Sequence, residues 1–395
     1  MRASGTNRDC WPTRQQALLL RAALLQGRPA LDAWQGWKSQ ADIDHLDPGS
    51  FRVLPQLYQN LTSLQVQDPL MRKLKGIYRR SWYTNQLALR DLAGLLQGFA
   101  AAGIDSLLLK NVALVLCYYR DIGLRPVDDL EVLVRIEHAP AAVAVMTGLG
   151  WEPLAGVPSS ELVKTGAPCS AWKTPRGQSF TLYWRVAWEG CEPGAEAEWW
   201  DGATSVVYAD VQAHVLNPAD QLLHVCMAWA EWHTVPAFRW AADAMTILHR
   251  AGSDLDWDRL MSRARNWGMT LPVRDTLHCL RRLLDAPIPS ELLRGLRRVR
   301  VSPFEWIEYR RRIRAPGSTN LLERIVSRYL RVRERRRRVG PLDELWGFTR
   351  FLQEYWGLAY GWQVPLWAGL KALRGIPRMM LGPRERAKGS SWRVR

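Results

Sequence analysis

Two carboxylates, Asp129 and Glu131, stand two residues apart in the segment Arg125-Pro-Val-Asp-Asp-Leu-Glu-Val-Leu-Val134. The apolar residues around them, Leu130 and Val132-Leu-Val134, make this segment read as a strand. Strand side chains alternate faces, so positions i and i+2 point the same way, with Cα atoms roughly 6.5–7 Å apart. Two carboxylates held like that can share one divalent cation or bridge two. Phosphoryl and nucleotidyl transfer use carboxylate-held metals to orient a triphosphate and neutralise the charge on the transferred group. Magnesium suits oxygen ligands of this kind. Taken alone, an Asp-x-Glu pair is more often a solvated strand edge, so the flanking residues must decide.

Other chemistries have weaker claims. There is no Gly-x-x-x-x-Gly-Lys-Ser/Thr loop, no Gly-x-Gly-x-x-Gly and no Gly-x-Ser-x-Gly elbow. The six cysteines are scattered, with no Cys-x-x-Cys pair and no histidines at zinc spacing. His224 and His233 lie nine apart on a helical stretch, and His224 reads as a packed helix residue.

The elements that would position the pair follow from periodicity. Residues 13 to about 100 repeat apolar side chains at three- and four-residue steps and read as helices. Asp47-Pro-Gly-Ser50 interrupts them, with Ser50 as a candidate N-cap. Ser106-Leu-Leu-Leu-Lys110 looks like a buried strand, and Val112 to Tyr119 a following helix. Strand-prone residues run from Trp151 through Trp172 to Phe180-Thr-Leu-Tyr-Trp-Arg-Val186, and 188–205 reads as loop. Helices return after Asn217-Pro-Ala-Asp220. Leu345, Phe348, Leu352, Trp356 and Ala359 form an amphipathic stripe near the end. The expected fold class is α+β: a small mixed-sheet core flanked by helical N- and C-terminal regions. The expected division is 1–100 helical, 101–215 α/β core, 216–315 helical and 316–395 basic and helical.

The run Leu107-Leu-Leu-Lys-Asn-Val-Ala-Leu114, followed by Tyr118-Tyr-Arg-Asp-Ile-Gly-Leu-Arg-Pro-Val-Asp-Asp-Leu-Glu-Val-Leu-Val134, resembles a bacterial family of uncharacterised nucleotidyltransferases. That family's pattern is a strand ending in Leu-Lys-Gly, a helix, a tyrosine, Gly-x-Arg-Pro and an Asp-x-Asp strand. Asn217-Pro-Ala-Asp-Gln-Leu-Leu-His224, Arg239-Trp-Ala-Ala-Asp-Ala-Met245 and Arg52-Val-Leu-Pro-Gln-Leu-Tyr58 are similar to its flanking helices. The resemblance implies that Asp129 and Glu131 are metal-binding acids holding Mg²⁺. It places Lys110 and Asn111 at a strand-to-helix turn where a helix N-terminus receives phosphate. Arg125 falls on the arginine of the Arg-Pro pair, suited to a phosphate or carboxylate by its planar fork. A salt bridge from Arg125 to Asp121, Asp128 or Asp129, and a solvated Lys110, are the plainer alternatives, and both stay open. Three residues depart from the pattern. Asn111 replaces glycine, Glu131 replaces aspartate, and Thr181 and Tyr183 stand where an acid and a histidine are expected. Asp128 or Glu161 could stand in for the missing acid, although no spacing indicates it.

Charge divides the chain. Residues 1–290 carry 29 basic and 29 acidic side chains, while 291–395 carry 25 and 9, so the net +16 sits in the last part. Such a region suits nucleic acid, an acidic partner or a membrane surface, with Trp346, Trp356, Trp362 and Trp367 beside Arg331–Arg338 and Arg374–Arg395. A helix simply packed on its own domain is the plainer reading. No recognisable nucleic-acid-reading module is present. No run of ~18 uncharged apolar residues occurs, and the apolar run from Ala17 to Leu25 is broken by Arg21, as in a helix rather than a signal peptide. With scattered cysteines this points to the cytoplasm, with peripheral membrane contact through the basic region.

Two functions are therefore expected. One is a magnesium-dependent nucleotidyltransferase moving a nucleoside monophosphate from an NTP to an acceptor, probed by Asp129→Ala. The other is a catalytically degenerate nucleotide- or intermediate-binding protein whose basic region docks a partner or membrane.

Overall fold

The computed structural model describes residues 11–154, 168–185, 196–228, 238–312, 329, 341–356 and 358–369. Residues 1–331 form one compact unit and 332–395 another.

The first unit opens with helices Arg14–Leu24, Gly27–Lys38, Pro48–Phe51, Leu54–Ser63 and the long Met71–Ala101. The helix at Pro48 is capped by Asp47, whose carboxylate accepts from the Ser50 amide (3.0 Å), rather than by Ser50. Proline at the first helical position needs no N–H partner, and the helix starts three residues earlier than expected.

Among the described residues, seven strands make one mixed sheet in the order β3-β4-β5-β2-β1-β7-β6. They are β1 Ser106–Leu108, β2 Asp129–Val134, β3 Glu152–Pro153, β4 Cys169–Lys173, β5 Ser179–Tyr183, β6 Thr204–Tyr208 and β7 Val211–Val215. Strand β2 lies between β1 (antiparallel) and β5 (parallel), and β1 also pairs parallel with β7. The fold is thus α+β, a mixed sheet flanked by helices, as expected. Leu130, Val132 and Val134 are fully or almost fully buried in a core with Leu92, Leu96 and Phe99 of the long helix. Burying the apolar face of β2 leaves Asp129 and Glu131 on the other face by simple alternation.

The segment expected as loop over 188–205 carries a short helix, Ala197–Trp200, and the start of β6. Packing overrides local composition there. Trp199 is buried, edge-on to His224 and Trp267 at centroid distances of 5.2 and 5.3 Å. After β7 come helices Pro218–Ala228, Arg239–Ala251, Trp257–Asn266, Thr270–Leu284, Ser290–Arg298 and Pro303–Arg312.

In the second unit, helix Pro341–Trp356 ends before Ala359, so the amphipathic stripe is shorter than the sequence suggests. Leu352 is buried, while Trp362 and Trp367 are exposed. The arginine runs 331–338 and 374–395, His233 and Glu161 lie outside the described residues. Among the described residues, no helix is long and apolar enough to cross a membrane.

Candidate active site

Strand β2 presents Asp129 and Glu131 to a pocket of about 150 Å³. Its wall also takes Lys110 and Asn111 from the start of helix Lys110–Cys117, and Gln221, His224 and Arg239 from the two helices after the sheet. The sequence-predicted residues Lys110, Asn111, Arg125, Asp129 and Glu131 all line this one pocket.

Glu131 is buried, and its Oε1 accepts from Lys110 Nζ at 2.6 Å and from Tyr183 Oη at 3.4 Å. The ammonium also lies 5.3 Å from the Tyr183 ring centre. Lys110 therefore acts as an internal counter-ion to Glu131 rather than as a solvated strand-end lysine. Asp129 Oδ2 accepts from Thr181 Oγ1 at 2.9 Å. Thr181 lies opposite Glu131 in the β2–β5 register, so the position where an acid was expected does adjoin the pair. Asp129 Oδ1 and Glu131 Oε2 are buried with no hydrogen-bond partner among the described residues. Burial, and then the Glu131 charge, push the Asp129 carboxyl up to about 6.

Two unsatisfied carboxylate oxygens on one face of one strand suit a hard cation. They supply only part of a coordination shell. Among the described residues, no group of three or more His, Cys, Asp or Glu side chains could hold a metal. A cation held by these two carboxylates would keep several waters or take oxygens from a phosphate.

Asn111 stands where the family pattern has glycine. The left-handed residue at this turn is Lys110 itself, at φ 42°, and Asn111 is not among the positive-φ residues. The Asn111 amide donates to Asp129 O (3.0 Å) and accepts from Arg125 Nη1 (2.7 Å) and Arg239 Nη2 (3.3 Å). It ties the turn to β2.

Arg125 is buried and salt-bridged, but to none of Asp121, Asp128 or Asp129. Its Nε and Nη2 donate to Asp243 at 2.7 and 2.8 Å. Tyr119 Oη also donates to Asp243, at 2.8 Å. Burial alone would raise the Asp243 carboxyl; the Arg125 guanidinium, with Arg239 and Tyr119, offsets it and holds that carboxyl below the usual range. Arg125 thus orients Asn111 and fixes the helix Arg239–Ala251 against the core.

Three contributors lie beyond the sequence-predicted set. Arg239 reaches Pro126 O (3.2 Å) and Asp128 (3.4 Å), and Arg52 pairs with Asp128 at 3.0 Å. Asp128 is exposed at the pocket mouth between the two guanidinium groups. Burial, and then the nearby Arg125 charge, lower Arg239 to about 10. Asn85, fully buried, donates to Arg125 O (2.7 Å) and accepts from the Val127 amide (2.9 Å). The available signal for Asn85 was a lone amide on the helix face that carries Ala88, Leu89 and Leu92. His224 is a buried wall residue, as expected; burial, and then the Lys110 charge, lower it to about 3, so it is neutral at pH 7.

A central mixed-sheet strand carrying a carboxylate pair, fed by a strand-to-helix turn with a lysine, defines a nucleotidyltransferase-type core. Residues 50–285 match the family described as uncharacterised nucleotidyltransferase, and the chain belongs to it. Among curated proteins, none matches the chain.

Proposed function

We propose that the chain is a magnesium-dependent nucleotidyltransferase, moving a nucleoside monophosphate from an NTP to a hydroxyl-bearing small molecule or biosynthetic intermediate. The observation that supports this most is the pair of unsatisfied oxygens, Asp129 Oδ1 and Glu131 Oε2, facing one pocket. Asp129 and Glu131 would hold the metal, which when bound would offset the charge of the triphosphate. With a metal held by the two acids, Lys110 would be free of Glu131 to meet a phosphate. Arg239 and Arg52 meet the outer phosphates at the mouth, where Asp128 otherwise pairs with both. Arg125 and Asn111 act as positioning residues, because their hydrogen bonds hold the turn and β2 together. Calorimetry with each NTP, with and without magnesium, tests the reading. Magnesium-strengthened binding that is lost in Asp129→Ala supports it, and binding indifferent to that change overturns the role of Asp129.

A second reading is favoured by Thr181, a hydroxyl where an acid was expected. In it the core binds a nucleotide or intermediate without transfer, and residues 291–395 dock an acidic partner or membrane surface. Magnesium-indifferent binding without pyrophosphate release, across a set of alcohol acceptors, selects this reading. Liposome sedimentation of the chain truncated before Pro341 tests the basic region, since undiminished binding removes it as the anchor.

A further inference from the structure

Gln221 lies in the first turns of helix Pro218–Ala228, is fully buried, and lines the pocket that holds Asp129 and Glu131. Neither its Nε2 nor its Oε1 has a hydrogen-bond partner among the described residues. A buried primary amide with neither end satisfied is costly, on the order of 1–3 kcal/mol for each unmet group. Such a group is kept where a ligand completes it.

The surroundings restrict that ligand. The pocket wall from this helix consists of Gln221, the neutral His224 and Val225, joined by Leu114 and Trp240. None of these carries charge at pH 7, so phosphates belong with Lys110, Arg52 and Arg239 and an uncharged moiety belongs here. The amide offers an acceptor and a donor side by side in one plane. Its complement is a planar ring with an adjacent donor and acceptor, as in the pairing of glutamine with N6–H and N7 of adenine.

We infer that Gln221 is the residue that selects the nucleobase of the substrate, by paired hydrogen bonds from its side-chain amide. The inference rests on the nucleotidyltransferase reading. It adds a specificity determinant on a helix that contributes no acid to the site.

The test is equilibrium binding of ATP, GTP, CTP, UTP and inorganic tripolyphosphate, each with magnesium, to the full chain and to Gln221→Met. Methionine keeps the length and removes both hydrogen-bonding groups. The wild-type chain is expected to prefer one base, and Gln221→Met to lose roughly fivefold to a hundredfold of that preference, with tripolyphosphate binding unchanged. Should Gln221→Met fail to fold, Gln221→Glu, which loses the donor, is expected to shift the same ratio. A preference retained in the variant, or a wild-type chain indifferent to the base, overturns the role of Gln221 alone. A wild-type chain that binds tripolyphosphate but no nucleotide also overturns it. A wild-type chain that binds neither overturns both this and the transferase reading.

Discussion

Arg125 and Asp243, 118 residues apart in sequence, meet side-on through two hydrogen bonds of 2.7 and 2.8 Å, both side chains buried. The pair joins the loop entering β2 to the helix that supplies Arg239, so the acid-bearing strand and the guanidinium at the mouth share one anchor. Asp243→Ala would leave a buried cation without its partner and remove an acceptor from Tyr119. The expected loss is about 3–5 kcal/mol in urea unfolding, far above an exposed pair. A loss below about 1 kcal/mol would show that the pair is not the anchor.

The raised Asp129 carboxyl fixes the sign of a pH effect in the metal-free protein. Its folded pKa of about 6 exceeds the ordinary aspartate value of 3.8, so the folded state holds the proton more tightly between those values. Stability therefore falls as pH rises from about 4 to 6, by up to about 3 kcal/mol. In EDTA, Asp129→Asn should be more stable than wild type at pH 8, with the gain fading by pH 4. An equal gain at both pH values would refute the assignment.

Lys110→Met removes the ammonium that neutralises Glu131. The metal-free Tm should fall, and the rise on adding magnesium should exceed that of wild type, because the cation no longer displaces a lysine. Affinity for NTP should drop at the same time. If the magnesium-induced rise shrinks instead, Lys110 is not standing in the cation's place.

Thr181→Asp would set a third carboxylate beside Asp129, in register with Glu131. Repulsion should lower metal-free stability, while magnesium affinity rises by roughly tenfold through the added charged ligand. Titration calorimetry reads both effects, and an unchanged affinity would place Thr181 outside metal reach.

Gly123 sits where an added Cβ would come within 2.5 Å of Tyr78 Cε2 and 3.0 Å of Trp82 Cβ. Gly123→Ala should cost about 1–3 kcal/mol by overpacking and loosen the turn that leads into Arg125. Denaturant midpoints test it, and a neutral substitution would mean that the long helix yields.

Much of this was legible beforehand where the signal is local. The alternation Asp129-Leu-Glu-Val fixed both the strand and the face on which the acids stand. The run Leu107-Leu-Leu-Lys110 placed the turn, although the strand ends at Leu108 and the left-handed residue is Lys110 rather than Asn111. What stayed hidden depends on long-range pairing. Asp243 looks like any helix acid until Arg125 meets it, and Asn85 is a lone amide on an apolar helix face with no visible partner until the Arg125–Val127 loop wraps it. The helix at Trp199 escaped notice because aromatic packing against His224 and Trp267, not local composition, orders it.

Strand β1 is flanked by neighbours made at very different times. Its antiparallel partner β2 follows within the same short stretch, but Leu107 and Leu108 pair with His214 and Val215 of β7. At usual synthesis rates, the wait between them is on the order of ten seconds. During it, a growing chain presents one bare, apolar strand edge of the kind that invites pairing with another chain. Expression yield, chaperone demand and aggregation should therefore respond to substitutions in β7 more sharply than equilibrium stability does.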